Sequence, residues 1–297
     1  MGIDWHGALT LKYFMQANNF GKTLTIGRQA IHVSPELLKQ LFKLDKASLS
    51  KIYDSTVKDS DSYFCENLLY CLGATSVDSI DASEYEGASI IFDLNNEIEK
   101  NDYETLIDFG SSEHIFNVAQ VFTNYSQLVK EGGNLIHVLP ANNYCGHGLY
   151  QFSPEFFYSL YSTENGYKDT EIFMVELPDR KQWFKISNPP NGTRMLFDSK
   201  HPCYVICFTK KSTSKIREIN VQQSDYVYEW NKQEVEDRGN TSRFKVKFMI
   251  KKMPILFKAC KIITYYPRSG YWWIKIKLKR KQGKKRKAYS LQKLFNL

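Results

Sequence analysis

Two short polar segments hold most of the side chains in this sequence that could do chemistry. Residues 103–117 contain the pair Glu113-His114, and residues 140–154 contain Gly146-His147-Gly148. Each segment starts in or directly after an apolar run that is typical of a β-strand. In an open α/β sheet, ligands bind in the loops at the carboxyl ends of the strands. The clustering therefore indicates a binding or catalytic site rather than a core.

An acid beside an imidazole can orient a substrate, exchange a proton or help to hold a metal. For Glu113 and His114, a capping glutamate beside a hydrogen-bonded histidine is the open alternative. Packing explains a histidine between two glycines poorly, so we interpret His147 as the first choice of general base. The candidate catalytic residues are His147, His114 and Tyr150, and the candidate substrate-binding residues are Glu113, Asn142 and Asn143.

Two aspartates each end a predicted strand. Asp81 is the last residue of the strand 76–81, and Asp93 is the last residue of the strand 88–93. In a Rossmann-like sheet, an acid after the second strand accepts hydrogen bonds from ribose hydroxyls. An acid after the third strand can bind an adenine amino group. Both aspartates could instead be helix caps or turn residues. Gly27 stands alone where a nucleoside-facing loop belongs, which argues against a dinucleotide pyrophosphate site.

The order of apolar runs predicts an α/β fold with a Rossmann-like, mostly parallel sheet and helices on both faces. We expect a helix over residues 118–130 that stops at Gly132-Gly133, and a helix over Pro154–Leu160 capped by Ser153. Residues 171–177 and 203–209, joined without a helix, predict an antiparallel hairpin at one edge. The predicted organisation is a lead-in (1–20), a main domain (21–210), a linker (211–240) and a basic C-terminal segment (241–297).

Composition excludes several protein classes. Hydrophobic residues make up 42% of the chain and aromatic residues 14%, which is enough for a packed core and excludes global disorder. We see no signal peptide and no apolar window of the ~18 residues that a membrane span needs. The six cysteines include no Cys-x-x-Cys pair, so we expect reduced thiols in a cytoplasmic protein. No P-loop, Ser-His-Asp arrangement or His-Glu-x-x-His motif is present, and we expect no metal.

With these residues in view, residues 23–210 resemble a class I S-adenosylmethionine-dependent methyltransferase. The chain is most similar to divergent bacterial members that accompany surface-polysaccharide and glycan biosynthesis genes. The residues that carry the resemblance are Asp81-Ala-Ser83, Asp93-Leu-Asn95, Glu113-His114 and Val129-Lys-Glu-Gly-Gly133. The resemblance implies S-adenosylmethionine as cofactor, with Gly27 under its methionine part, Asp81 on the ribose hydroxyls, and Asp93 with Leu94 at the adenine.

The resemblance implies methyl transfer to an oxygen or nitrogen of a sugar or glycan precursor. The first loop departs from the family, whose members have several glycines where this chain has only Gly27. A non-catalytic binding or scaffolding protein that kept the fold is therefore an alternative. A nucleic-acid methyltransferase that uses the basic C-terminal segment is another.

The charge of the chain is divided sharply along its length. Residues 243–293 contain 18 Lys and Arg with no Asp or Glu, which leaves 22 basic and 32 acidic residues in positions 1–240. Aromatic residues such as Trp272 and Trp273 lie among these cations. Basic and interfacial aromatic side chains favour an anionic membrane surface or an anionic glycan, although the same residues could bind nucleic acid or form a solvated terminus. We predict that residues 241–297 dock on anionic membrane, holding a cytoplasmic protein at its inner face near lipid-linked substrates.

Overall fold

The computed structural model of the chain describes residues 2–54, 63–188, 193–213, 219–239 and 288–291. The chain divides into two compact units. The first comprises residues 1–187, 199–221 and 288–297, and the second comprises residues 188–198 and 222–287. Among the described residues, no helix is long and apolar enough to cross a membrane.

The first unit is a nine-stranded sheet with helices around it. Its helices are α1 (Trp5–Met15), α2 (Pro35–Phe42), α3 (Lys46–Ile52), α4 (Glu66–Cys71), α5 (Val118–Leu128) and α6 (Pro154–Leu160), with a 3₁₀ turn at Ser112–His114. Its strands are β1 (Gly21–Ile26), β2 (Ala74–Asp81), β3 (Ile90–Ile91), β4 (Tyr103–Asp108), β5 (Val129–Pro140), β6 (Tyr167–Glu176), β7 (Gln182–Ile186), β8 (Cys203–Lys211) and β9 (Ala288–Ser290).

The strand order is β3-β2-β1-β4-β5-β8-β6-β7-β9. The first five strands pair in parallel, and β8 pairs antiparallel with both β5 and β6. On one side of β1 the next strands are β2 and β3, and on the other side they are β4 and β5. The change of direction between β1 and β4 is a topological switch point, where open α/β sheets bind ligands.

Helices cover both faces of the sheet. Residues in register on neighbouring strands share a face, because side chains alternate along a strand. One face carries Asp108, His137 and Cys207, and the other carries Ile107, Ile136 and Phe208. Tyr125 of α5 stacks on His137 with ring centroids 5.9 Å apart, whereas Tyr13 of α1 lies 5.1 Å from the ring of Phe208. The predicted Rossmann-like, mostly parallel fold is therefore confirmed.

The starts of three helices follow from their capping residues. Ser34 and Ser153 each accept a hydrogen bond from a backbone N–H in the first turn, and a proline follows each of them. Pro154–Leu160 is helical with the predicted bounds. In the N-terminal segment, Asp4 caps α1 by accepting from the N–H of Gly7. Leu9, Leu11 and Phe14 of this helix are buried in the core of the first unit.

The predicted end of the helix over residues 118–130 is wrong. Helix α5 ends at Leu128, and β5 runs from Val129 through the two glycines. Val129 pairs with Tyr103 and Asn134 pairs with Thr105, so the strand between them bulges. Gly132 has φ +79°. The glycines thus allow a bulge in a strand rather than the end of a helix.

The predicted antiparallel pair is confirmed, and two further strands extend it to the edge of the sheet. The runs 171–177 and 203–209 are β6 and β8, and they pair antiparallel. Strand β8 lies between β5 and β6, where its nearly unbroken buried pattern suits a central strand. The edge consists of β7 and β9, which the sequence did not predict. Of the predicted strand 88–93, only Ile90–Ile91 joins the sheet.

The second unit contains α7 (Ser224–Gly239). Arg194 forms an ion pair with Asp225 at 2.5 Å and lies over the ring of Tyr226. The basic C-terminal segment, residues 241–297, lies outside the described residues apart from 288–291.

Candidate cofactor cavity and the adjoining histidine cluster

A cavity of about 420 Å³ opens at the carboxyl ends of β1, β2, β3 and β4. Its lining includes all four residues that were predicted to bind the cofactor, together with one predicted catalytic residue. These are Gly27, Asp81, Asp93, Leu94 and His114. The cavity lies at the switch point of the sheet. The fold thus brings Gly27 and His114, which are 87 positions apart in the sequence, to one site. Their individual roles stay predictions.

Gly27 forms a part of the cavity wall that carries no side chain. It directly follows β1 with φ +66°, and its N–H donates to the carbonyl of Ile80 at 2.8 Å. A Cβ at this position would lie 2.9 Å from the hydroxyl oxygen of Ser111. That hydroxyl donates to the carbonyl of Ile26 at 2.6 Å. Both the backbone conformation and the available space therefore require glycine at position 27.

Asp81 presents a carboxylate beside this glycine. Its Oδ1 accepts from the N–H of Ser83 at 3.0 Å, which is an Asx turn. Its Oδ2 faces Gly27, at 3.9 Å from the position that a Cβ on Gly27 would take. The turn fixes one carboxylate oxygen and directs the other toward the cavity. A carboxylate held in this way suits a ligand with neighbouring hydroxyl donors.

Asp93 and Leu94 form another wall. Asp93 Oδ1 accepts from the N–H and the side-chain amide of Asn95 at 2.9 and 2.7 Å. Leu94 is buried, and its carbonyl accepts from the side chain of Asn124 on α5. Phe92 also lines the cavity. This wall combines apolar surface with a carboxylate, which suits a flat heterocycle that carries an amino group.

Sequence reasoning missed Ser111 and Gln29, which also line the cavity. Both contact the turn after β1, since each side chain donates to the carbonyl of Ile26. Arg28 lines the cavity as well. Its Nε donates to Glu66 at 2.6 Å, and its guanidinium lies over the ring of Phe64. The only sequence signal for Ser111 was its place in the polar run after β4.

A buried polar network supports the turn that follows β4. Asp108 is fully buried, and its Oδ1 accepts from the N–H of Ser111 at 3.1 Å. Its Oδ2 accepts from the hydroxyl of Tyr125, and burial together with this carboxylate raises the Tyr125 pKa. His137 Nε2 lies 2.7 Å from the hydroxyl of Tyr161. His137 is fully buried and belongs to this network rather than to the cavity lining.

The structure brings Glu113, His114 and His147 together at one edge of the cavity. We call these three residues the Glu-His-His cluster. Glu113 Oε1 lies 3.3 Å from His147 Nε2 and 3.7 Å from His114 Nε2. The imidazole rings are 5.0 Å apart and nearly perpendicular. The cluster adjoins the cavity because His114 belongs to the cluster and also lines the cavity.

Burial has a strong effect on the groups of this cluster. The Glu113 side chain is 0% exposed, and neither of its carboxylate oxygens has a hydrogen-bond partner among the described residues. Burial, and secondarily the charge of Asp108, raises the pKa of Glu113 to about 8. Burial also lowers the pKa of His114 and of His147. Without a cation nearby, all three groups are therefore biased toward their neutral forms.

The loop that carries His147 is held against the backbone of Glu113. The N–H groups of Leu149 and Tyr150 donate to the Glu113 carbonyl at 2.7 and 3.2 Å. Gly148 has φ +74°, and a Cβ on it would lie 2.7 Å from Glu113 Cγ. The glycine after His147 thus permits close packing of two loops. The position of His147 relative to Glu113 is a consequence of this contact.

The remaining predicted site residues lie outside the cavity lining. The hydroxyl of Tyr150 donates to the carbonyl of Phe116 at 2.7 Å, which links the His147 loop to the segment before α5. The side-chain amide of Asn143 donates to the carbonyls of Ser199 and His201. The carbonyl of Asn142 accepts from the N–H of Cys203. Their predicted contacts with an acceptor stay predictions.

No protein-family model and no curated protein matches this sequence. Solved structures are similar to it in fold. TehB from Haemophilus influenzae is 13% identical, with 68% of this chain and 61% of TehB covered, at a TM-score of 0.37. A SAM-dependent methyltransferase from Thermotoga maritima is also 13% identical, with 69% and 89% covered and a TM-score of 0.37. The N-methyltransferase NodS from Bradyrhizobium japonicum is 11% identical, with 68% and 93% covered and a TM-score of 0.36.

The matched region spans less than two thirds of TehB. At these identities and TM-scores, the likenesses carry no assignment of activity or substrate.

Proposed function

We propose that this chain is an S-adenosylmethionine-dependent methyltransferase that acts on an oxygen or nitrogen of a sugar or glycan precursor. One observation carries the proposal. The four residues that the sequence predicted to bind the cofactor all line one cavity at the switch point of the sheet. They are Gly27, Asp81, Asp93 and Leu94. An α/β sheet binds its ligand at this point because the connections after the two adjacent strands run in opposite directions and leave a crevice.

The cavity has complementary chemistry for each part of the cofactor. The ribose hydroxyls can donate to Asp81, whose Oδ2 faces Gly27. The adenine fits against Leu94, with Asp93 at hand for its amino group. The methionine part can approach the backbone at Gly27, where no side chain intervenes. Acidic side chains in the cavity lining, among them Asp81 and Asp93, favour binding of the positively charged sulfonium.

Methyl transfer needs alignment of the acceptor with the sulfonium and a route for one proton. A lone pair of the acceptor oxygen or nitrogen forms the new bond to the methyl carbon. The electrons of the sulfur–carbon bond return to sulfur, which leaves S-adenosylhomocysteine. The acceptor proton leaves toward the Glu-His-His cluster, where His147 and His114 are the sequence-predicted bases. The acceptor class itself rests on the sequence resemblance.

Calorimetric titration of the full chain with S-adenosylmethionine and S-adenosylhomocysteine tests the proposal. We expect one binding site per chain. Asp81→Asn should lower the affinity for either compound about tenfold, because a hydrogen bond to a charged group contributes about 1.5–3 kcal/mol. Asp179→Asn is the matched control. Its carboxylate accepts from the N–H of Lys181 in the same kind of turn, outside the cavity lining.

No binding of either compound at millimolar concentration would refute the cofactor assignment and favour the scaffolding alternative. Binding that is equally weakened by Asp81→Asn and Asp179→Asn would refute the role of Asp81. Transfer of a labelled methyl group to nucleic acid, but not to sugar acceptors, would favour the nucleic-acid alternative.

We also propose that the basic C-terminal segment, residues 241–297, holds the protein at an anionic membrane surface. The proposal rests on its 18 basic residues between positions 243 and 293, with no acidic residue among them. The charge of such a segment needs anionic partners in close proximity.

A further inference from the structure

We infer that the Glu-His-His cluster (Glu113, His114 and His147) is a binding site for one divalent transition-metal ion, with open positions for oxygen atoms of an acceptor. The first support is the donor set. Two imidazole nitrogens and one carboxylate oxygen form a set that binds zinc, iron and related ions and leaves coordination positions open for water or substrate.

The distances between the donors fit a shared ion. Glu113 Oε1 lies 3.3 Å from His147 Nε2 and 3.7 Å from His114 Nε2. With metal–ligand bonds of about 2.1 Å, such separations correspond to angles of about 105° and 125° at the ion. The potential ligand atoms of the three residues all lie within 4.8 Å of one another. Because both imidazoles are partly exposed, small ring rotations can bring them onto one ion.

The second support is a buried polar group that has no protein partner. Both carboxylate oxygens of Glu113 are buried and lack hydrogen bonds within the described part of the chain. His147 Nε2 is buried as well and, although it is near Glu113 Oε1, it lacks hydrogen-bond geometry. Buried polar atoms are normally satisfied, so an unsatisfied cluster of this kind requires an explanation. A cation bound between these atoms would satisfy all of them.

The third support is that the cluster is built from two fixed loops. The carbonyl of Glu113 accepts from the backbone N–H groups of Leu149 and Tyr150. Gly148 packs so closely on Glu113 that a Cβ on the glycine would clash with the Glu113 side chain. The ring of Tyr144 also contacts His147, with centroids 5.1 Å apart. Metal sites depend on such positioning, because ligands held in place do not need to be ordered when the ion binds.

The location suggests what the ion would do, and this part rests on the proposed function. His114 lies in the lining of the cofactor cavity, so an ion at the cluster would adjoin it. A metal ion lowers the pKa of a bound hydroxyl group and orients it. An acceptor hydroxyl bound there would lose its proton to water and attack as an alkoxide. In the metal-bound protein, His147 and His114 are then ligands rather than free bases.

Metal binding can be measured without any turnover. The full chain, with any affinity tag removed, would be stripped with a chelator and titrated with Co²⁺ and then Zn²⁺. Calorimetry would report stoichiometry, and visible absorption would report the coordination of Co²⁺. We expect one ion per chain, and we expect Glu113→Gln and His147→Asn each to weaken binding about tenfold or more, because each removes one of three protein ligands.

Two control variants separate this site from adventitious ones. His201→Asn removes an exposed imidazole, and Cys145→Ser removes an exposed thiol two residues from His147. Both should bind as the wild type does. Thermal melting of each stripped variant would show that it is folded before metal is added.

Failure to bind one equivalent of either ion would overturn the assignment, as would unchanged binding in both Glu113→Gln and His147→Asn. Loss of binding in Cys145→Ser would overturn the assigned donor set. Titration of the same stripped protein with S-adenosylhomocysteine keeps the two proposals distinct. Metal binding without cofactor binding would refute the proposed function alone, and cofactor binding without metal binding would refute the metal site alone.

Discussion

Gly27 and Ser111 face each other across the switch point of the sheet, so closely that a Cβ on Gly27 would lie 2.9 Å from the Ser111 hydroxyl. Gly27 directly follows β1, and Ser111 belongs to the turn after β4. Their contact joins the two strand ends between which the cavity opens. The turn after β4 thus supplies the wall of the cavity that faces Gly27.

Gly27→Ala should weaken cofactor binding through this contact. The left-handed backbone at position 27 costs an alanine roughly 1–2 kcal/mol, and the new methyl group must also displace Ser111. Gly132→Ala is the matched control, because Gly132 has φ +79° and no atom lies within 4 Å of the position that its methyl group would take. We expect urea unfolding to show at least as much destabilisation in Gly27→Ala as in Gly132→Ala, and calorimetry to show weaker S-adenosylhomocysteine binding only for Gly27→Ala. Wild-type affinity in Gly27→Ala would contradict the assigned place of the cofactor.

A pH dependence of stability should arise at His6. Burial lowers its pKa, an effect that Asp4 partly opposes, and its Nδ1 accepts from Trp183 Nε1 at 3.3 Å. Because the pKa is lower in the folded chain, the unfolded chain binds more protons below its own pKa of about 6.5. Stability should therefore be full above about pH 6.5 and decline as the pH falls.

His6→Gln should make this decline shallower, by at most about 1.4 kcal/mol per pH unit. His201→Gln, which removes an exposed imidazole, should keep the wild-type slope. Denaturant unfolding between pH 7.5 and pH 5 measures both. Equal slopes in wild type and His6→Gln would show that His6 does not contribute.

Thiol reactivity should differ strongly among the cysteines. Cys145 is exposed, whereas Cys65 and Cys207 are buried, and burial raises the pKa of both buried thiols. Since the thiolate is the reactive form, iodoacetamide should modify Cys145 before Cys65 and Cys207. Peptide mass spectrometry over time would follow each site, with a guanidinium-unfolded sample as the control in which all of them react. Modification of Cys65 or Cys207 as fast as Cys145 in the folded protein would be inconsistent with this packing.

Binding to acidic liposomes should depend on the basic C-terminal segment. Full-length protein should cosediment with liposomes rich in anionic lipid at low salt, and a chain truncated after Gly239 should not. Electrostatic attraction is screened over about 8 Å at physiological ionic strength, so binding should weaken as salt is raised. Neutral liposomes are the control. Equal binding of the two chains, or no binding by either at low salt, would refute the membrane proposal.

The place of Gly27, Asp81 and Asp93 at one cavity was predictable because their sequence signals are local. An acid directly after an apolar run marks a strand end, and Asp81 and Asp93 both end β-type runs of the sequence. Parallel strands then bring such ends to one edge of the sheet without further information. The isolated Gly27 was equally visible, since glycine directly after a strand indicates a turn.

Other features depend on contacts between distant parts of the chain. The sequence cannot show that β8 enters the sheet between β5 and β6, because strand pairing is decided by tertiary packing. The short strands β7 and β9 meet across about a hundred residues. Likewise, burial of Glu113 results from the approach of the loop that carries Gly148. The close contact of Glu113 with His147 could not be predicted for the same reason.

A crystal structure of the complex with S-adenosylhomocysteine tests the central claim most directly. We expect the ribose hydroxyls on the carboxylate of Asp81, the adenine beside Leu94, and the sulfur directed toward the side of the cavity that His114 lines. S-adenosylhomocysteine bound elsewhere on the chain, or bound in the cavity with its ribose away from Asp81, would contradict the account.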